Sequence, residues 1–129
     1  MADTVDTKIV YSGRYHVVHL QNRSDGTGES GVTKVDISTL TTRAGAVCTY
    51  TTIDRIEYDC GGMSVRLDWD HTTDDEITTL SGGGALDWSS VGGLTDPRSS
   101  GGTGDILLTT NGHASGDSYD ISIWLRAKA

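Results

Sequence analysis

Six ionisable side chains crowd one short stretch of the chain: Asp68, Asp70, His71, Asp74, Asp75 and Glu76. Hard oxygen ligands gathered in a loop are the chemistry of calcium, which takes about six to eight oxygens. The spacing is not that of a helix-loop-helix calcium loop, and no glycine stands where its sharp turn is needed. The stretch is therefore expected to be a solvated loop between strands. Paired carboxylates also serve glycoside hydrolysis, but the sequence marks no cleft to hold a sugar between them. His16, His19, His71 and His113 are scattered. None forms a His-Glu-x-x-His pair, and no Gly-x-Ser-x-Gly elbow occurs.

Three further patterns match chemistry by letter and not by context. Gly26-Thr27-Gly28-Glu29-Ser30-Gly31 fits the dinucleotide fingerprint, which works only between a strand and the N-terminus of a helix. Here strand-like residues 32–37 follow, and Asp25 and Glu29 would repel phosphate, so a turn is expected. Gly116-Asp117-Ser118 matches the nucleophile block of some esterases but precedes the last strand of a short β-rich chain, and also reads as a turn. Asn22-Arg23-Ser24 is a glycosylation triplet by pattern only. Cys48 and Cys60 are the only cysteines. Two reduced, partly buried thiols are favoured over a disulfide, and the pair lacks the histidines that would complete a zinc site. No catalytic residue, cofactor or metal is assigned, and the chain is not expected to be an enzyme.

The elements that would carry these residues are strands. Met63, Val65, Leu67 and Trp69 alternate with Ser64, Arg66 and Asp68, the pattern of a strand with one buried and one wet face. Tyr119, Ile121, Ile123 and Leu125 alternate in the same way with Asp120, Ser122, Trp124 and Arg126. Residues 4–11, 15–20, 32–37, 49–60, 77–80 and 105–110 add strand-like runs, and no segment reads as a helix. Gly61-Gly62 is expected to close a hairpin into the Met63 strand. Ile106–Leu108 and Tyr119–Leu125 are expected to form a second hairpin. Eight or nine short strands with regular turn signals predict an all-β fold, an antiparallel β-sandwich of jelly-roll or Greek-key type. A closed barrel is the alternative. Residues 1–129 form one domain, with 1–6 a candidate flexible arm.

Composition narrows the partners. The 129 residues include 17 Gly, one Pro and no Phe, and only 35% are hydrophobic. So thin a core favours a chain that gains stability by association. The net charge of −8 repels phosphates and argues against nucleic acid. No apolar run reaches membrane-spanning length, so no membrane partner is expected. The start, Met1 to Asp6, lacks the basic and apolar runs of a secretory signal, which predicts assembly in a cytoplasm. Trp69 is in register with the buried face and belongs to the core. Trp124 is out of register and is the better anchor for a subunit or partner interface, with Trp88 and Arg126 beside it in that assignment; packing under a neighbouring loop is the alternative.

The ending Tyr-Asp-Ile-Ser-Ile-Trp-Leu-Arg (Tyr119 to Arg126), the strand Val65 to Trp69 and the segment Gly101 to Thr110 together have a familiar style. They resemble small β-rich virion proteins of tailed bacteriophages, of the type that decorates or cements the head. The resemblance covers about the second half of the chain and transfers no site residues. It implies a non-catalytic homo-oligomer bound to the major capsid protein on the virion surface. The alternatives are a tail- or fibre-associated virion protein, or a carbohydrate-binding β-sandwich using exposed tryptophans and loop carboxylates.

Overall fold

The computed structural model describes residues 4–12, 15–42 and 44–129. Among these residues are ten strands: β1 (Thr4–Ser12), β2 (His16–Arg23), β3 (Val32–Val35), β4 (Tyr50–Gly61), β5 (Ser64–Trp69), β6 (Asp75–Leu80), β7 (Gly83–Asp87), β8 (Leu94–Thr95), β9 (Ile106–Asn111) and β10 (Ser118–Lys128). The only helical pieces among the described residues are single 3-10 turns at Ile37–Thr39 and Ser89–Val91. One sheet runs β1-β2-β10-β4-β7, with the short β8 also paired to β4, and the other runs β3-β9-β5-β6. Every pairing is antiparallel.

The chain changes sheet between β2 and β3, β3 and β4, β4 and β5, β6 and β7, β8 and β9, and β9 and β10. With β2-β10-β4-β7 facing β3-β9-β5-β6, this is the strand order of a jelly roll, extended at one edge by β1. The expected all-β sandwich is therefore the fold. Among the described residues, strand pairing does not join the two sheets into the alternative barrel.

The two alternating runs build the centre. Met63, Val65, Leu67 and Trp69 are all buried from one sheet, and Tyr119, Ile121, Ile123 and Leu125 from the other. Val18, Leu20, Ile53, Ile56, Ile106 and Leu108 fill the same interior. Each such side chain contributes about 1.5–3 kcal/mol through removal from water. The indole N–H of Trp69 donates to Thr51 Oγ1 at 3.2 Å, so its one polar atom is not stranded in the core.

Both expected hairpins are corrected. β4 and β5 lie in different sheets, as do β9 and β10. Gly61-Gly62 does reverse the chain, with Gly62 at φ +86°, but β4 is already flanked by β10 and β7. The strands therefore face each other across the core instead of bonding side by side. Alternation is preserved because both bury their apolar face toward the same interior. The hairpin pairs that do form are β1–β2 and β5–β6. Of the segment 1–6, residues Thr4, Val5 and Asp6 belong to β1 and pair with Arg23, Asn22 and Gln21, while 1–3 lie outside the described residues. Cys48 and Cys60 are both buried and free.

Candidate functional site

The interface residues expected from sequence gather around a bulge in β4. Leu125 pairs with Ile53 and Trp124 with Arg55, so Asp54 is an extra residue opposite β10. The bulge turns the Asp54 carboxylate toward Arg126, whose Nε and Nη2 donate to it at 2.8 and 3.0 Å. Arg126 Nη2 also donates to the Gly92 carbonyl at 2.8 Å. The Asp54 carbonyl accepts from Trp88 N at 2.8 Å. Gly93 (φ +90°) passes so close that a Cβ there would lie 2.6 Å from Asp54 Oδ1. The Ser89–Val91 turn is thus clamped over the bulge, with Val91 left 75% exposed.

Each of the three residues ends up with a different task. Trp124 stands half-buried on the outer face of the wider sheet, cross-strand from Val17 and Arg55. The Arg55 guanidinium carbon lies 5.9 Å from the Trp124 ring centroid, within cation–π reach. Arg55 also pairs with Glu57 at 2.7 Å and Asp87 at 3.2 Å. Hydrogen bonds from the Ser89 hydroxyl and N–H, with Arg55 beside them, hold the Asp87 carboxyl below the usual carboxylate range. Trp88 is half-buried and packs against the core. Arg126 is occupied within the chain. Trp124 is the one whose ring is presented outward. Along the same face, Glu57, Asp59, Asp120 and Ser122 line a shallow depression with Gly84 and Ala85.

Asp68, Asp70, Asp74 and Glu76 do not converge on one ion. Asp68 accepts from Arg66 Nε at 2.9 Å, Asp70 from the Thr103 hydroxyl at 3.0 Å, and Glu76 from the Thr79 hydroxyl at 2.8 Å. Asp74 accepts from His71 N at 3.1 Å. Their oxygens point to separate partners, which rules against a loop-borne calcium shell. Nor is the stretch simply solvated. His71 is buried, and its ring meets Asp75 and Asp96. Nδ1 lies 2.8 Å from the Gly101 carbonyl, and Nε2 lies 2.7 Å from Asp96 Oδ1 and 3.7 Å from Asp75 Oδ2. Burial pushes the imidazole pKa down, but the Gly101 carbonyl and the Asp96 and Asp75 carboxylates outweigh it and leave the pKa raised. Sequence reasoning missed Asp96. Its signal was an Asp before Pro97 in a glycine-rich excursion, and it does form an Asx turn, accepting from Arg98 N at 2.8 Å.

The remaining motifs are structural. Glu29, inside the nucleotide-like loop, points inward and pairs with Lys34, both side chains being nearly fully buried. Its other oxygen accepts from Asn22 Nδ2 at 2.7 Å and from the Tyr119 hydroxyl at 2.6 Å. The loop leads into β3 and not into a helix, so no helix N-terminus stands behind it and it is a turn. Gly116-Asp117-Ser118 is also a turn: the Asp117 carbonyl accepts from Ser24 N, and its carboxylate from Ala114 N. His16, His19 and His113 engage Thr41, Asp120 and Thr110 respectively. No protein-family model, curated protein or solved structure matches the chain.

Proposed function

We propose that this protein is a non-catalytic virion structural protein that decorates or cements the capsid of a tailed bacteriophage. It would bind the major capsid protein as a homo-oligomer on the capsid surface after assembly in the host cytoplasm. The observation that carries this reading is the Trp124–Arg55 pair on the outer face of the wider sheet. Tryptophan and arginine are the side chains that most often dominate protein–protein binding energy. Trp124 sits on the central strand β10, whose inner face is locked by Tyr119, Ile121, Ile123 and Leu125. The anchor is therefore held on a rigid platform. The jelly roll is a fold of viral capsid and lectin domains, a fold-level analogy that agrees with the resemblance in style.

The test is the abundance of the polypeptide in purified virus particles, by quantitative mass spectrometry. A copy number comparable with the major shell protein supports decoration. A trace amount moves the protein to a tail or fibre position, and absence from particles removes the virion reading. In particle-binding assays, Trp124→Ala should weaken binding at least roughly tenfold, the loss of an anchor's worth of energy, with the melting temperature retained.

One observation favours a second reading, a carbohydrate-binding module. The depression lined by Glu57, Asp59, Asp120 and Ser122 puts carboxylates and a hydroxyl on the same open face as Trp124. Carboxylates accept sugar hydroxyls, and an aromatic ring stacks on a sugar face. Tryptophan fluorescence that responds saturably to a glycan would favour it, and silence across a broad panel would remove it.

A further inference from the structure

We propose that His71, Asp75 and Asp96 bind one divalent transition-metal ion of the zinc type, which joins the β5–β6 turn to the loop between β8 and β9. The ring orientation is the first ground. Nδ1 faces a carbonyl, Gly101 O at 2.8 Å, which can only accept, so Nδ1 carries the hydrogen. A metal-binding histidine is oriented in this way, by donating its other ring N–H to a carbonyl or carboxylate. The Nε2 lone pair is then aimed at Asp96 and Asp75.

The second ground is independent of the ring. Asp96 is 1% exposed and aimed at Nε2, yet its Oδ2 has no hydrogen-bond donor, and Asp75 Oδ2 is likewise buried without one. Gly104 (φ +77°) leaves the room that Asp96 Oδ2 occupies, since a Cβ there would lie 3.0 Å from it. Buried carboxylate oxygens without a partner are costly. A doubly protonated imidazole does not resolve this. It would spend one N–H on Gly101 and the other on Asp96 Oδ1, leaving both Oδ2 atoms as they are. A dication answers all three groups and balances two carboxylates with a neutral ring.

Donor chemistry selects the ion. One imidazole nitrogen with two carboxylates suits zinc and its neighbours, whereas calcium and magnesium prefer all-oxygen shells. The three donor atoms lie within 4.8 Å of one another. Tetrahedral bonds of about 2.0–2.1 Å need donors about 3.3 Å apart, which small side-chain adjustments reach. Three protein ligands leave one position for water. Because the ligands come from two separate loops, bound metal would couple those loops and raise stability.

The experiment uses untagged full-length protein stripped with chelator and then titrated with zinc, cobalt or calcium chloride. One zinc per chain, a melting temperature raised by at least roughly 5 °C at saturating zinc, and a cobalt absorption spectrum of low coordination number are expected, with calcium inert. Asp75→Asn, at the half-exposed position, should keep the fold and the metal-free melting temperature while weakening zinc at least roughly tenfold. His71→Gln should do the same to the cobalt spectrum. Absence of bound zinc and of any melting shift would overturn the site, leaving His71 as a buried ring held by Gly101 and Asp96. Zinc binding that both variants leave unchanged would overturn it equally, placing the ion elsewhere.

Discussion

Arg126 grips Asp54 with two parallel hydrogen bonds, 2.8 and 3.0 Å, across the bulge where β4 gains a residue on β10. The fork matters because Asp54 is buried and its carboxylate would otherwise face the interior of the clamp. Side-chain exposure is 24% for Arg126 and 8% for Asp54, so solvent screens the pair only weakly. Arg126→Ala is expected to cost about 1.5–3 kcal/mol, the range for hydrogen bonds to charged groups. In urea melts this should appear as a lower midpoint with an unchanged slope. Arg126→Lys keeps the charge and loses the fork, and should recover less than half of the deficit. A change within experimental error for Arg126→Ala would mean that the Ser89–Gly93 turn holds the bulge alone.

Lys34 and Glu29 make the more deeply buried pair, with side-chain exposures of 4% and 7%. Removing one partner of such a pair strands the other charge, which costs about 3–5 kcal/mol. Lys34→Met should approach that loss, moderated because Asn22 and the Tyr119 hydroxyl still donate to Glu29. The double variant Lys34→Met/Glu29→Gln should regain at least half of it, since no unpaired charge remains. A double-mutant cycle in urea decides the matter. Simple additivity of the two single losses would show that the charges do not act together.

What could be read from sequence follows from the range of each physical signal. The alternation of Met63–Trp69 and Tyr119–Leu125 is local with period two, so burial and the outward direction of Trp124 were both legible. The partner of β4 was not. Gly61-Gly62 encodes a reversal, but whether the next strand pairs beside β4 or crosses to the opposite sheet depends on the strands already flanking it. The burial of Lys34 was not legible, because its buried partner Glu29 is carried by a loop that reads as polar. The burial of His71 was hidden for the same reason. Its partners Asp96 and Gly101 lie 25 and 30 residues away, in an excursion rich in glycine and serine.

The two thiols offer a test that needs no mutation. Burial raises the pKa of both Cys48 and Cys60. The nearby Asp59 charge adds to this at Cys60. At Cys48, hydrogen bonds with the Lys128 and Tyr50 backbone partly oppose it. A raised thiol pKa means less thiolate at a given pH, and thiolate is the reactive form. Native protein at mildly alkaline pH should therefore react with a disulfide reagent at least roughly tenfold more slowly than a free cysteine peptide. Its rate-against-pH curve should be displaced to higher pH. Unfolded protein should release two equivalents at the ordinary rate, matching its two cysteines. Failure to find free thiols in denaturant would mean that they pair after all.

Gly102 and Gly82 have nearly the same positive φ, +67° and +66°, in very different surroundings. An alanine at either site is strained by about 1–2 kcal/mol from the left-handed backbone alone. At Gly82 a Cβ meets nothing within 4 Å, so that strain should be the whole effect. At Gly102 the Cβ would lie 2.3 Å from the Asp70 carbonyl oxygen and 2.6 Å from His71 Cα, and backbone cannot swing aside as a side chain can. Relief requires the 101–104 segment to lift away, which pulls the Gly101 carbonyl off His71 Nδ1 and breaks the Gly104 N to Asp70 O bond of 2.9 Å. Gly102→Ala should therefore lose about 1–3 kcal/mol beyond Gly82→Ala, the usual cost of overpacking. Amide exchange should show the loss concentrated in residues 70–72 and 101–104. Equal losses at the two sites would mean that the loop between β8 and β9 rests on His71 without being held there, and the coupling of the two loops would have no mechanical basis.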